Sequence, residues 1–246
     1  MKYLFCMVIG GFFSFPLTPA AWALAPGQEV REERPAEFVD AAVLEPSLAV
    51  DLLYYGADNF VGRPISGYKE NRCLLLRSAA ESLKKAQARI QRAGKRLGKD
   101  YTLLLRDCYR PHKATEDFIA WSEDPADLKQ KEKFYPHVEK REILSDGYLS
   151  SFSAHSRGAT VDVTVAERGP NGTLSPLDMG AILDFFGEVS RSGAKEISAE
   201  AKANRRLLFK AMGSDFRNYE KEWWHFTQRP EPHPGRAYNF DVTAIN

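Results

Sequence analysis

The sequence has no HExxH helix signature and no CxxC pair, so two familiar frameworks for holding zinc are missing. Cysteine is scarce: there are three, Cys6, Cys73 and Cys108, too few for a cysteine-built structural metal cluster. Charge excess of either sign is also missing, with 34 basic side chains against 33 acidic ones and a net charge of +1. That balance gives no basic face for nucleic acid and no polybasic patch for a membrane surface. No internal repeat and no low-complexity tract is present.

Long apolar runs are confined to the beginning of the chain. Met1-Lys2 gives a short positive start, Tyr3 to Phe15 is almost wholly apolar, and Pro16 and Pro19 break the run. Ala21-Trp22-Ala23 then offers small residues at the positions a signal peptidase reads. The stretch is short for a bilayer span. The expectation is a signal peptide over 1–23, export to the periplasm or cell envelope of a bacterium, and no stable membrane insertion afterwards. Residues 24–46, with their prolines and mixed charges, read as an extended lead-in. Residues 47–246 are long enough for one domain with a core of its own. If Cys6 leaves with the signal, Cys73 and Cys108 remain, either as a disulfide or as two separate buried thiols.

The pattern of the remainder is mixed. Ser47 to Tyr55 reads as a strand and Asp58 to Tyr68, with Gly62, Pro64 and Gly67, as a loop. Leu75, Ala79, Leu83, Ala86 and Ile90 recur at helical spacing, predicting a helix from Arg72 to about Leu97, with Gly98 as its stop. Tyr101 to Leu105 reads as a strand and Lys113 to Trp121 as a helix. The highly charged stretch from Asp124 to Asp146 reads as a surface excursion. Val161, Val163 and Val165 alternate with Thr160, Asp162 and Thr164, which is strand period. Met179 to Val189 and Ala199 to Met212 are helix candidates, and Glu222 to Thr227 leads into a short aromatic strand. Without regular βαβ alternation, the class expected is α+β in a single domain.

Two segments concentrate metal-binding chemistry. In the first, His155 precedes the strand that carries Asp162. A carboxylate flanked by valines in mid-strand needs a partner, either a cation or an arginine. In the second, Glu222 and His225 stand three apart among Trp223 and Trp224. A histidine there can ligate a metal while the glutamate takes a proton from the attacking water. The alternative is a strand end with a core histidine and a surface glutamate. His112, His137 and His233 read as non-ligands, and the two tryptophans as packing.

The combination Ser153-x-His155-x6-Asp162 with Glu222-x-Trp224-His225 resembles the metal signature of the zinc D-alanyl-D-alanine peptidases, and within them the dipeptidases of the VanX type. Further similar blocks are Asp58-Asn59-Phe60 with Gly62, Pro64 and Gly67-Tyr68, Asp107-x-Tyr109-Arg110-Pro111, His155-Ser156-Arg157-Gly158, Met179-Gly180, and Asn204-Arg205-Arg206-Leu207. The resemblance runs from about residue 45 to the end. It implies the fold shared with hedgehog domains, with an antiparallel central sheet flanked by helices. It implies one Zn2+ on His155, Asp162 and His225, Glu222 as general base, and Arg110 as holder of the developing oxyanion. The substrate it implies is the free dipeptide D-Ala-D-Ala, its ammonium held by Asp184, with Ser153 and Tyr54 as further contacts. On the residues alone, Arg110 is equally a turn arginine paired with Asp107, Asp184 a solvated helix-face aspartate, Ser153 a bend stabiliser and Tyr54 a core side chain. Leu183 stands where the family pattern leads one to expect an aromatic. Two other readings are a D,D-carboxypeptidase acting on peptidoglycan stems and a zinc-containing binding module without catalysis.

Overall fold

The computed structural model describes residues 24–245. The segment read as a signal peptide therefore lies outside the described residues. Among those described, no helix is long and apolar enough to cross a membrane.

The central sheet is built on the two strands with the strongest apolar pattern. β5 (Tyr101–Asp107) pairs antiparallel with β6 (Thr160–Arg168), and β6 pairs antiparallel with β9 (His225–Gln228), which in turn pairs with β8 (Phe216–Asn218). On the far side of β5 lies β3 (Ala49–Val50), and that pairing is parallel. β7 (Leu174–Pro176) adds an antiparallel hairpin to the end of β6. The sheet is thus mixed, which corrects the expected all-antiparallel arrangement. The cause is that the chain reaches β5 from β3 through a long helical crossover, and a crossover connection delivers parallel strands.

That crossover contains α2 (Arg77–Arg96), whose Ala79, Leu83, Ala86 and Ile90 are fully buried. It begins later than the spacing suggests, because Leu74, Leu75 and Leu76 form β4 and pair antiparallel with β2 (Phe38–Asp40). α5 (Ala199–Met212) packs on α2, with Leu208 and Met212 fully buried. α3 (His112–Glu123) contributes Phe118 and Trp121 to the core. Within 24–46, β1 (Glu29–Arg31) runs parallel to β10 (Arg236–Tyr238), β2 leads into the single turn α1 (Ala41–Leu44), and Phe38 enters the core.

Two expectations fail in the connecting segments. Residues 124–146 are not only surface: α4 (Lys131–Phe134) and the following turn bury Phe134, Tyr135 and Ile143. Lys140 is buried there too, its ammonium donating to the carbonyls of Asp124 and Asp127 and lying 4.3 Å from the Trp121 ring centre. Met179 to Val189 is not a helix. Gly180 and Asp184 adopt left-handed backbone, and only a short 3-10 turn at Glu188–Ser190 follows. The reason sits on α5. The buried guanidinium of Arg205 donates to the carbonyls of Met179, Val189 and Arg191 at 2.6–2.7 Å, supplying partners a helix would have provided from its own backbone.

Candidate active site

β6 carries its alternation between two buried layers. Val161, Val163 and Val165 enter the apolar core, while Asp162 projects to the opposite face and is 3% exposed. Directly across the ladder from Asp162 stands His225, so pairing of β6 with β9 places two polar groups on one face at adjacent positions. On its other side β6 faces a β-bulge in β5. The register shifts between Leu105 and Asp107, so that Asp107 rather than Arg106 opposes Asp162. One extra residue thereby turns the Asp107 carboxylate toward the site.

His155 arrives from a different element, a 3-10 turn (His155–Arg157) ahead of β6. Its amide donates to Ser153 Oγ at 3.2 Å. Gly158 ends the turn in left-handed backbone, φ 77°. A Cβ there would collide with the Phe38 ring, so the position admits little besides glycine. The imidazole Nδ1 lies 2.8 Å from the Cys108 carbonyl oxygen. A carbonyl only accepts, so Nδ1 carries the proton and Nε2 presents its lone pair.

The three side chains converge. His155 Nε2 is 3.2 Å from Asp162 Oδ2 and 3.2 Å from His225 Nδ1, and His225 Nδ1 is 3.3 Å from Asp162 Oδ1. One ligand atom from each lies within 4.8 Å of the others, a grouping able to hold a metal ion. Asp162 Oδ1 is buried and has no hydrogen-bond partner among the described residues, an orphaned acceptor that a cation would satisfy. Burial opposes the charge on Asp162, yet the two imidazoles hold its carboxyl far below the usual carboxylate range. Burial likewise opposes protonation of His225, but Asp162 and Glu222 outweigh it and push the imidazole up to about 9. Two carboxylates acting on one ring make the electrostatic environment of a cation. Glu222, in the turn before β9, sets Oε2 3.3 Å from His225 Nδ1.

Across from this cluster, Arg110 is pinned on every side. Its Nε donates to Asp107 Oδ2 at 2.9 Å, and Nη2 lies 2.8 Å from the same oxygen and 3.7 Å from Asp162 Oδ2. Its guanidinium carbon lies 5.0 Å from the ring centres of both Tyr54 and Phe118. Asp107, fully buried, also accepts from Tyr68 Oη at 2.6 Å and from the Cys108 amide at 2.9 Å. The pairing of Arg110 with Asp107 and the approach to the metal cluster are therefore both realised.

A cavity of about 360 Å3 joins these groups, and it is lined by His155, Asp162, His225, Glu222 and Arg110 together with Tyr54, Ser153 and Asp184. All eight candidate metal-ligating, catalytic and substrate-contact residues of the sequence line it. Asp184 is not a solvated helix-face side chain: it is 5% exposed, and Tyr54 Oη donates to its Oδ2 at 2.8 Å. Burial, reinforced by the charge of Asp162 and opposed by Tyr54 and Arg110, pushes its carboxyl up to about 8. Tyr54 serves as core and as donor, since burial and Asp184 keep its phenol neutral. Ser153 stabilises the bend before His155 and also lines the cavity. His112, His137 and His233 stay outside the metal grouping. Trp223 is buried away from the cavity, whereas Trp224 contributes to its wall.

Tyr148, Phe152, Phe186 and Tyr219 also wall the cavity, and nothing in the sequence marked them out. Tyr148 stacks on Phe186 at 5.1 Å. Tyr148 lies outside every element read from the sequence and Phe186 lies in the segment read as a helix, so only the tertiary fold brings them together here. The structural role of Asp107 was visible only as a possible partner for Arg110.

A family model described as D-ala-D-ala dipeptidase matches residues 34–243. The D-alanyl-D-alanine dipeptidase of Enterococcus faecalis is 39% identical over 194 residues, 78% of this chain and 92% of that protein. That of Enterococcus faecium is 40% identical over 78% of this chain and 91% of its own length. That of Streptomyces coelicolor is 36% identical over 83% of this chain and 96% of its own length. With the matched region spanning residues 34–243, which include the central sheet and every group that lines the cavity, the chain belongs to the D-Ala-D-Ala dipeptidase family of peptidases.

Proposed function

We propose that this chain is a zinc-dependent dipeptidase hydrolysing free D-Ala-D-Ala outside the cytoplasm. The observation that carries the substrate is Asp184: a buried carboxylate, with a tyrosine donor, inside the same cavity as the His/Asp/His grouping. A carboxylate so enclosed is costly unless it meets a cation, and the free ammonium of a dipeptide is one of the right size. The relatives' names support the same substrate.

Two imidazole nitrogens and one carboxylate are a donor set suited to zinc with a coordination position left for chemistry. His155, Asp162 and His225 would hold it, and when bound it supplies Lewis acidity to water and to the scissile carbonyl. Glu222 Oε2 takes the proton of the attacking water as the oxygen bonds to the peptide carbon. Arg110 donates to the carbonyl oxygen as negative charge builds there, and its rigid fork needs no reorganisation to do so. Asp184 and Tyr54 fix the amino end. When the C–N bond breaks, Glu222 returns its proton to the leaving amine, and the products are two molecules of D-alanine. Asp107 touches none of these atoms; it holds Arg110 in place.

The expected export draws support from the apolar start of the chain and from the Cys73–Cys108 disulfide, because such bonds persist in oxidising compartments. The experiment that tests the substrate is a panel of D-Ala-D-Ala, L-Ala-D-Ala and N-acyl-D-Ala-D-Ala, each with and without chelator. Chelator-sensitive release of D-alanine from the free dipeptide is expected, with little from the blocked one, which offers Asp184 no ammonium. Cleavage of the blocked peptide alone would replace this reading with a carboxypeptidase.

A further inference from the structure

Cys73 and Cys108 are joined, with Cα atoms 5.2 Å apart, and both are fully buried. Neither sulfur has a part in the chemistry above. The backbone of Cys108, however, touches both halves of the site. Its carbonyl accepts the Nδ1 proton of His155 at 2.8 Å, and its amide donates to Asp107 Oδ1 at 2.9 Å. The first contact sets the ring and tautomer of a metal ligand, and the second steadies the carboxylate that holds Arg110.

We propose that the Cys73–Cys108 disulfide is a positioning device for the site, tethering the peptide units on either side of Cys108 so that they aim His155 at the metal and, through Asp107, Arg110 at the substrate. Cys108 lies just past the end of β5, after the bulge, where the strand ladder no longer holds the chain. What remains beside Cys108, among the described residues, is the bond to Cys73 and two backbone contacts, the Tyr109 amide donating to the Leu74 carbonyl at 3.0 Å and the Arg110 amide donating to the His155 carbonyl at 3.4 Å. The other end of the tether is firm. The Cys73 carbonyl accepts from the Ala41 amide at 2.8 Å, and the next residue begins β4, paired to β2. A hydrogen bond weakens steeply with misalignment, so a free Cys108 loosens both contacts together. Partners that orient a ligating histidine typically change metal affinity by about 10–100-fold when lost.

The competing account is purely structural. A bond across a sequence separation of 35 stabilises by restricting the unfolded chain and leaves the folded site unchanged. The two accounts differ in metal affinity of the folded protein. The comparison uses Cys73→Ala/Cys108→Ala, which removes the bond without leaving thiols to bind zinc, and Leu208→Ala, a core truncation on α5. For each, the zinc Kd of metal-depleted, folded protein is measured by competition with a chromophoric chelator. The His155 Nδ1 proton is followed by NMR in the metal-free state.

The proposal expects zinc binding at least tenfold weaker in the double variant, loss of a slowly exchanging Nδ1 proton there, and neither change in Leu208→Ala. Wild-type protein reduced with a non-chelating phosphine supplies a second disulfide-free comparison that does not depend on folding of the double variant. Zinc affinity within about twofold of wild type, or an equal loss in Leu208→Ala, would overturn it. So would failure of both disulfide-free forms to fold at saturating zinc, since the bond would then be a requirement of the fold. The inference rests on the metal site proposed above, and the two failures are separable. If wild-type protein binds no zinc, the site reading falls; if wild type and double variant bind it equally, only the positioning role falls.

Discussion

Arg110→Lys isolates the oxyanion role more cleanly than truncation does. Asp107 is fully buried, and removing its partner altogether would strand a carboxylate, at about 3–5 kcal/mol of stability. Lysine keeps the charge but brings one nitrogen. In the native protein Nε and Nη2 face Asp107, while Nη1 has no hydrogen bond among the described residues and the side chain lines the cavity. A lysine that satisfies Asp107 has no second rigid donor for the carbonyl oxygen. Loss of one donor to a developing oxyanion costs about 10²–10³ in kcat, roughly 3–4 kcal/mol of transition-state stabilisation. Weaker stacking between Tyr54 and Phe118 removes about 1 kcal/mol, a fall in Tm of about 2–4 °C. Steady-state kinetics of D-alanine release, with a melting curve and a zinc determination on the same sample, separate these effects. The account expects kcat to fall, KM to change little and zinc to stay bound. A kcat within about fivefold of wild type, or a loss carried wholly by KM, would refute the assignment.

Other outcomes follow from the same geometry. Glu222→Gln should lower kcat by about 10²–10⁴ and retain zinc; zinc loss equal to that of His225→Ala would instead make it a ligand. Asp184→Asn should raise KM for the free dipeptide. It should also change how stability depends on pH. The Asp184 carboxyl titrates at about 8 in the fold and near ~3.9 when unfolded. Its contribution is therefore complete below about pH 4 and is lost as pH rises through about 8. Metal-free Asp184→Asn should gain Tm relative to wild type as pH rises from about 4 to about 8, and a constant gap would contradict the buried-acid reading. Gly158→Ala forces a left-handed residue with a Cβ against Phe38, costing at least about 1–2 kcal/mol. Chelator competition should show weaker zinc binding as well, because the turn carrying His155 shifts.

The sequence was most legible where one strand or one helix carried the information. β6 could be read from its valines, and Asp162 could be placed opposite them. α2 was visible in Ala79, Leu83, Ala86 and Ile90, although its start was not, because Leu74–Leu76 suits a strand and a helix equally. The grouping of His225 with Asp162 came from the family resemblance, spacing alone left it open, and their cross-strand pairing emerged only with the structure. The bulge that turns Asp107 inward has no local signature, since Arg106 looks like any strand residue. The irregular 179–189 segment was misread for a similar reason. Its local pattern allows a helix, but Arg205, on a helix that follows it in the chain, takes its carbonyls instead. The environment of Asp184 could only emerge with that correction.

The central claim is that His155, Asp162 and His225 form a single metal centre on which D-Ala-D-Ala hydrolysis depends. It is tested most directly by titrating zinc into chelator-treated protein while recording D-alanine release. The account predicts no release at the start, a linear rise, and a plateau at one equivalent of zinc per chain, with the three-ligand variants flat throughout. Full activity before zinc is added, or a filled site with no release from the dipeptide, would contradict it.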